Sequence, residues 1–462
     1  MLPYIFFPML GIASSGDIAA KYFNNTNFLL FGGLLVASAI EFTGLHKRVA
    51  LSILSKIGTG LRSLLFGFML VTWVCSMFMS NTATTAMVIP ILLSVLDEIT
   101  LDGTVMANKN TKDESDFTTN EIKPMMRMSL IRKGMILAIP YSASIGGIAT
   151  VNGSPTNLVL QEYYTERFPN DEKIDLNYAQ WLGFGIFNST LMIVIIYFYM
   201  LVYYFGIRYT SDKKNDDLVS AAIKTKLSEL PKFNRAEGLV VVAMITLIMA
   251  WIFANPGFIT GWTSWFPEPS FIKDGVPAML IGIVLFIIPI QRQSANSHLR
   301  PILAWETAVH NIKWGVLMVN GGGFAIAEAS DKSGFSFWFA KQLQGLASLE
   351  PWVIALSITA IAAFFTEVCS NTAASALFCP LLAELAIELK IEPIYLMMPA
   401  ITACSFAFML PSASPTLALG YGTGRLKVSE MIKSGFMCNI IGIGVINLVL
   451  NTWGVYYFDI KL

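Results

Sequence analysis

Charged residues are scarce in this 462-residue sequence, at 13%, whereas hydrophobic residues make up 55%. A soluble domain usually carries about 25% charged residues. The apolar residues are spread from end to end, which is typical of a chain that crosses a lipid bilayer several times. We therefore predict one membrane domain, 1–462, in a multi-pass protein of the all-α class.

A charge excess, metal-ligand spacing and catalytic motifs are also missing. Lys and Arg number 31, as do Asp and Glu, so there is no basic field that would bind nucleic acid. The five cysteines and three histidines lack the spacing of a zinc site or a disulfide framework. No nucleophile, base and orienting residue can be assembled from the motifs, so we do not expect an enzyme.

The first residues also lack the charged region and cleavage site that are typical of a signal peptide. The first apolar stretch, Met1 to Ile12, is too short to span a bilayer and follows no charged region. We therefore expect the sequence to begin inside a helix.

Two apolar stretches are interrupted by polar residues. Ser80-Asn81-Thr82 interrupts the stretch from Ser63 to Leu96, and the stretch from Met135 to Ile148 meets a Gly- and Pro-containing segment at 152–157. Such groups would be unpaired in lipid unless protein or a water-filled cavity receives them. We predict a re-entrant hairpin with a polar tip at the first interruption and a broken helix at the second.

The remaining segments read as spans or charged connections. Apolar residues predict spans at 27–42, 181–204, 238–253, 277–290 and 314–327, and an amphipathic segment at 45–57 lies along the membrane surface. Charged residues predict a poorly ordered loop insertion at 97–126 and a linker at 208–237. Their Lys and Arg content places both on the cytoplasmic side.

The two halves of the chain repeat one another. Ser80-Asn81-Thr82 recurs as Ser370-Asn371-Thr372, 290 positions later (370 − 80). Ser154-Pro155-Thr156 recurs as Ser414-Pro415-Thr416 at an offset of 260 (414 − 154), and the loop insertion accounts for the difference. We predict two inverted repeats, 1–207 and 238–462, each with a re-entrant hairpin and a broken helix.

This arrangement predicts a site near the bilayer midplane, where the repeats meet. Helix N-termini can hold an anion there without a buried arginine, and unwound carbonyls and side-chain oxygens suit sodium. Glu367, within the second hairpin, could couple protons, but we favour structural pairing. Gly321-Gly322-Gly323 indicates close helix packing in preference to a phosphate loop.

The motifs resemble those of the divalent anion/sodium symporter family, especially the animal sodium-dicarboxylate and sodium-citrate cotransporters. The resemblance covers Leu2 to Trp453. It rests on the paired Ser-Asn-Thr motifs and on the segments at 80–87, 144–150 and 405–411. It implies sodium-coupled symport of succinate, citrate or similar carboxylates across the plasma membrane by a homodimer of elevator type.

The resemblance further implies that each subunit has a moving part, which carries the anion and sodium across the plasma membrane past a fixed part. The implied fixed scaffold comprises 1–62 and 238–348. The implied transport part comprises 63–207 and 349–462.

The resemblance also implies which residues bind the cargo. The substrate carboxylates contact the residues of both Ser-Asn-Thr motifs, which are Ser80, Asn81, Thr82, Ser370, Asn371 and Thr372. Ser154 and Ser414 border the site. The co-transported Na+ occupies two sites, one formed by Ser76, Asn81 and the Gly153 backbone, and the other by Thr366, Asn371 and the Ala413 backbone. Ser76 and Thr366 are also 290 positions apart (366 − 76).

Three departures from the family pattern stand out. Relatives usually begin with one more spanning helix. Thr416-Leu417 stands where relatives tend to carry Pro-Asn, whereas the first repeat keeps Asn157. Asn152 stands where relatives favour a small hydroxyl residue. The alternatives are a sodium-sulfate symporter of the same family, a channel, and an inactive N-terminally truncated membrane partner.

Overall fold

The chain folds into packed helices, many of them apolar. The computed structural model describes residues 1–58, 60–110, 119–169, 174, 176–206, 221, 223–255, 259–290, 300–312, 314–343, 345 and 348–460, with backbone alone at 98–110 and 119–127. In this part of the chain, strand structure is limited to Pro289–Ile290, which pairs antiparallel with Arg300–Pro301. The all-helical prediction therefore holds apart from this pair.

Nine α-helices lie within the described part of residues 1–206. They are α1 (Leu2–Met9), α2 (Ser15–Tyr22), α3 (Asn25–Thr43), α4 (Leu45–Ile57), α5 (Leu61–Ser76), α6 (Asn81–Asn110), α7 (Thr119–Gly147), α8 (Pro155–Arg167) and α9 (Tyr178–Met200). A 3-10 turn, Val151–Gly153, precedes α8, and a π-helical turn, Leu201–Phe205, continues α9.

The second half follows a similar order of long and broken helices. They are α10 (Arg235–Ile252), α11 (Gly275–Ile287), α12 (Trp305–Asn311), α13 (Trp314–Lys332), α14 (Phe335–Gln342), α15 (Pro351–Phe365), α16 (Asn371–Leu389), α17 (Pro393–Ala403), α18 (Pro415–Gly422), α19 (Val428–Val449) and α20 (Val455–Tyr457). Short turns lie at Trp262–Trp265, Pro269–Phe271 and Leu450–Gly454.

Several helices have the length and apolarity of membrane spans. Five stretches in the described part qualify: Ser15–Thr43, Tyr178–Phe205, Arg235–Ile252, Asn371–Leu389 and Val428–Tyr457. The shorter helices α5, α11, α15 and α17 are apolar as well. The predicted spans at 27–42, 181–204, 238–253 and 314–327 correspond to α3, α9, α10 and α13, and the amphipathic segment 45–57 is α4.

Both predicted hairpins break at their polar motifs. Helix α5 ends at Ser76 and α6 begins at Asn81, while α15 ends at Phe365 and α16 begins at Asn371. Ser80 caps α6, because its hydroxyl accepts a hydrogen bond of 3.3 Å from the Ala83 N–H. The polar residues therefore lie where one helix ends and the next begins.

Both predicted broken helices are also present. Helix α7 ends at Gly147 and α8 begins at Pro155, and the corresponding helices of the second half are α17 and α18. Proline suits the first position of a helix, since its missing N–H would be unpaired there anyway. A Cβ on Gly153 would lie 2.5 Å from the Gly147 carbonyl oxygen, so glycine allows this unwound segment to fold back on itself.

Two predicted boundaries are wrong. Helix α6 continues to Asn110 and α7 begins at Thr119, so the loop predicted at 97–126 is helical at both ends, while 111–118 lie outside the described residues. Leu, Met, Ala, Glu and Lys favour helix, and charge alone does not end a helix that has left the apolar layer. The span predicted at 277–290 ends at Ile287, before the short strand pair.

Glycines allow close packing between helices, as predicted for Gly321-Gly322-Gly323. A Cβ on Gly321 would lie 2.6 Å from Tyr22 Cδ1, and one on Gly323 would lie 2.9 Å from Ala376 Cβ. Gly32 of α3 approaches Ala278 of α11 in the same way, at 2.6 Å from the Ala278 carbonyl carbon. Small residues at such crossings are a general device for packing helices in membranes.

Candidate functional site

A cavity of about 500 Å³ lies between the two hairpins and the two broken helices. Its polar wall comes from equivalent segments of the two halves: Ser80, Asn81, Thr82, Asn152, Gly153, Ser154, Ser370, Asn371, Thr372, Ser412, Ala413 and Ser414. The facing wall is apolar and comes from α3, α10 and α13, with side chains such as Leu34, Leu247 and Val316. The described residues that line the cavity include no Lys, Arg or His.

Four helices begin at the polar wall. Helices α6 and α16 start at Asn81 and Asn371, and α8 and α18 start at Pro155 and Pro415. The first N–H groups of a helix have no partner within it, and the helix dipole makes this end positive. The cavity therefore presents positive electrostatic potential without a cationic side chain, which suits an anion.

Oxygen atoms surround one end of the Asn81 side chain. A terminal atom of this amide lies 2.7 Å from Ser76 Oγ, 3.1 Å from the Ala143 carbonyl oxygen and 3.2 Å from the Gly153 carbonyl oxygen. Ser76 is fully buried, and its hydroxyl lies 2.7 Å from the Ala143 carbonyl oxygen. If the amide nitrogen occupies this position, it donates hydrogen bonds to these oxygen atoms. If the amide oxygen occupies it, the oxygen forms a group of four with Ser76 Oγ and the Ala143 and Gly153 carbonyl oxygens.

The second half has a matching group. Thr366 Oγ1 lies 2.9 Å from Asn371 Oδ1 and 2.8 Å from the Cys404 carbonyl oxygen, and Thr366 is fully buried. A hydroxyl carries one proton, so it can donate to only one of these two acceptors. We call the groups around Asn81 and Asn371 the first and second oxygen clusters.

The carbonyl groups of Ala143 and Cys404 were missed by sequence reasoning. Every residue has a carbonyl, so a ligand of this kind leaves no residue-type signal. The signal that could have found them is the pair Ser144 and Ser405, which follow them in the repeated segments. Gly153 lies beside Asn81, with which it is expected to share a sodium site, whereas Ala413 shares only the cavity wall with Asn371 among the contacts described.

Ser154 and Ser414 border the cavity, but their hydroxyls are engaged at the starts of α8 and α18. Ser154 Oγ lies 2.9 Å from Thr156 Oγ1 and 3.2 Å from Ser405 Oγ. Ser414 Oγ contacts Thr416 Oγ1 and accepts a hydrogen bond from the Thr416 N–H. The contact between Ser154 and Ser405 joins the two halves of the chain beside the cavity.

Glu367 holds the unwound segment that follows α17. Its carboxylate accepts hydrogen bonds from the N–H groups of Phe408, Met409 and Leu410 at 2.8–3.2 Å, and from Asn439 Nδ2 at 2.7 Å. Only 2% of this residue is exposed, so these donors replace water. The structural pairing favoured for Glu367 is therefore the arrangement found.

The corresponding segment of the first half is held differently. The Asn157 amide donates to the carbonyl oxygens of Gly147 at 2.9 Å and Thr150 at 2.7 Å. Leu417 occupies the equivalent position in the second half and offers no such donor. One unwound segment is thus held through its carbonyl groups and the other through its N–H groups.

The fold is similar to those of two solved transport proteins. The chain is similar to the Alcanivorax borkumensis YdaH transporter, with a TM-score of 0.55 and 12% identity, over 95% of this chain and 87% of that one. It is also similar to MtrF of Neisseria gonorrhoeae, with a TM-score of 0.54 and 11% identity, over 95% and 83% of the two chains.

Residues 1–459 match the family described as the sodium:sulfate symporter transmembrane region, and the chain belongs to this family. It is 34% identical over 513 residues to the Na(+)/dicarboxylate cotransporter 3 of Mus musculus, covering all of this chain and 85% of the relative. It is 34% identical over 499 residues to the Na(+)/citrate cotransporter of Rattus norvegicus, covering 87% of the relative. These matches confirm the family resemblance found in the motifs.

Proposed function

We propose that this chain is a sodium-coupled symporter that carries a di- or tricarboxylate, such as succinate or citrate, across the plasma membrane. The observation that carries the proposal is the pairing of two Ser-Asn-Thr segments around one cavity, each beside an oxygen cluster. The named functions of the relatives support the same cargo.

The carboxylates of the anion bind the two Ser-Asn-Thr segments. Hydroxyl, amide and helix N-terminal N–H groups form charge-assisted hydrogen bonds with a carboxylate. One segment from each half provides a place for each end of a dicarboxylate. A cavity of about 500 Å³ is within the range that holds small organic ligands, which favours a multi-carbon anion over sulfate.

Sodium binds the two oxygen clusters as co-transported cargo. Ser76, Asn81 and the backbone of Gly153 and Ala143 form the first site, and hard cations prefer such oxygen ligands. Thr366, Asn371 and the Cys404 carbonyl form the second site, with Ala413 beside it. Positive charge next to the cavity offsets the negative charge of the anion in a low-dielectric surrounding.

The Asn81 amide couples the two cargoes. With sodium bound, its oxygen faces the first cluster and its NH2 group is directed to the anion. Without sodium, the amide turns so that its NH2 group, which has two hydrogens, donates to two of the three oxygen atoms of Ser76, Ala143 and Gly153 within reach. Its oxygen then repels the anion. Anion binding consequently depends on sodium.

The moving part comprises 63–207 and 349–462, and the scaffold comprises 1–62 and 238–348, in an elevator built from two inverted repeats. The apolar wall formed by α3, α10 and α13 supports this division, because an apolar surface lets the polar wall slide past it. Contacts between the parts include Lys21 Nζ with Glu166 Oε2 at 2.6 Å and the Tyr163 hydroxyl with Asp331 at 2.9 Å. A homodimer would anchor the scaffold.

Radiolabelled succinate uptake in cells that express the chain, with sodium or choline outside, tests the proposal. Uptake that requires sodium, and that disappears in an Asn81→Ala variant of equal surface abundance, is the expected result. Competition by unlabelled citrate and sulfate identifies the preferred anion. Sodium-dependent sulfate uptake without succinate uptake would transfer the assignment to sulfate, and no sodium-dependent uptake of any of the three anions would overturn it.

A further inference from the structure

The Asn152 side chain has two buried polar atoms without a partner. Among the described contacts, neither its Oδ1 nor its Nδ2 forms a hydrogen bond, although both atoms are shielded from solvent. Asn152 belongs to the 3-10 turn Val151–Gly153 and forms part of the cavity wall. A buried polar group without a partner is costly, so this amide calls for an explanation.

The amide is turned toward the scaffold. Its Nδ2 would lie 3.9 Å from a Cβ placed on Gly33 of α3, so this end of the amide lies beside α3. Asn152 already forms part of the cavity wall, so rotation about its side-chain bonds would turn the amide from α3 into the cavity. A ligand in the cavity would then pair the amide and remove the cost of leaving it unpaired.

Asn152 also breaks the symmetry between the two polar walls. The equivalent residue of the second half, at the offset of 260, is Ser412, which is exposed and also lines the cavity. The Ser-Asn-Thr segments on either side are matched residue for residue. An anion with identical ends would meet matched groups at both ends and an additional amide on one side only.

We propose that Asn152 determines specificity by hydrogen bonding a hydroxyl group of the transported anion, which makes a hydroxylated dicarboxylate a better substrate than its unsubstituted analogue. This inference rests on the proposed carboxylate transport. An amide offers one donor group and one acceptor, and a hydroxyl group complements both at once. A site built to bind a hydroxyl discriminates against the analogue that lacks it, because its own polar groups remain unpaired.

L-malate and succinate differ by one hydroxyl and provide the test. Uptake of each is measured in the unaltered chain and in Asn152→Ala, Asn152→Thr and Ser412→Ala variants, and the ratio of their kcat/KM values is compared within each variant. The ratio does not depend on how much protein reaches the surface. We expect the malate-to-succinate ratio to fall about tenfold in Asn152→Ala, to recover in part in Asn152→Thr, and to change little in Ser412→Ala.

If a variant binds but does not transport, the thermal stabilisation of the purified protein by each anion in sodium is measured instead. It gives the ratio of the affinities for malate and succinate. An unchanged ratio in Asn152→Ala, with sodium-dependent transport retained, would overturn the inference and leave the proposed function intact. A change in half-saturating sodium with an unchanged ratio would assign the amide to a cation and also overturn it. Absence of sodium-dependent transport by the unaltered chain would overturn the proposed function itself.

Discussion

The Glu367 carboxylate accepts a hydrogen bond of 2.7 Å from the Asn439 side chain, and together with three backbone N–H groups this donor surrounds it. Glu367 directly follows Thr366, and the segment that it holds begins just after Cys404. Both neighbours belong to the second oxygen cluster. The carboxylate therefore fixes the backbone on both sides of that cluster.

Replacing Glu367 with Gln should weaken sodium binding and stability together. The new NH2 group faces N–H donors, so at least one buried hydrogen bond is lost, at a cost of about 1–3 kcal/mol. We expect a lower melting temperature and a higher half-saturating sodium concentration in uptake. The control is Glu384→Gln, which removes a partly exposed ion pair with Arg167. Equal effects of the two substitutions would contradict a special role of Glu367.

Ser76→Ala and Thr366→Ala should each raise the half-saturating sodium concentration. Each removes one side-chain oxygen from a cluster, and a contact to a charged group contributes about 1.5–3 kcal/mol, which corresponds to roughly tenfold or more in affinity. Ser142→Ala is the control, because that hydroxyl is buried but bonds to Ala138 within α7. Sodium activation curves unchanged in both cluster variants would rule out these sites.

Asn81→Asp should separate sodium binding from anion binding. A carboxylate can contact sodium through either oxygen, but it cannot donate a hydrogen bond to the anion and it repels the anion's charge. We expect thermal stabilisation by sodium to persist while the additional stabilisation by succinate disappears. Succinate stabilisation equal to that of the unaltered chain would show that the amide does not couple the cargoes.

Gly153→Ala should abolish uptake, because its Cβ would lie 2.5 Å from the Gly147 carbonyl oxygen and would force the unwound segment apart. Gly444→Ala is the matched control. A Cβ there has no neighbour within 4 Å, and alanine favours the helix that contains it. Uptake and surface abundance are measured for both. Normal uptake by Gly153→Ala would show that this backbone contact is dispensable.

Much of the architecture could be predicted because lipid imposes a strict rule. Polar motifs that interrupt apolar runs must face protein or a cavity, so Ser80-Asn81-Thr82 and Ser370-Asn371-Thr372 located both helix breaks. The end of the charged segment after Asp97 could not be placed in the same way. Water solvates a charged helix as readily as a charged loop, and α6 continues to Asn110.

The sequence by itself determined the membrane class, the repeated motifs and the polar residues that meet at the cavity, because these follow from residue type and spacing. Only the tertiary structure decided that the Ala143 and Cys404 carbonyls complete the oxygen clusters, that Glu367 holds a backbone segment, and that the Asn152 amide has no partner among the described contacts. Carbonyl groups occur at every residue, and long-range hydrogen bonds depend on how the helices pack.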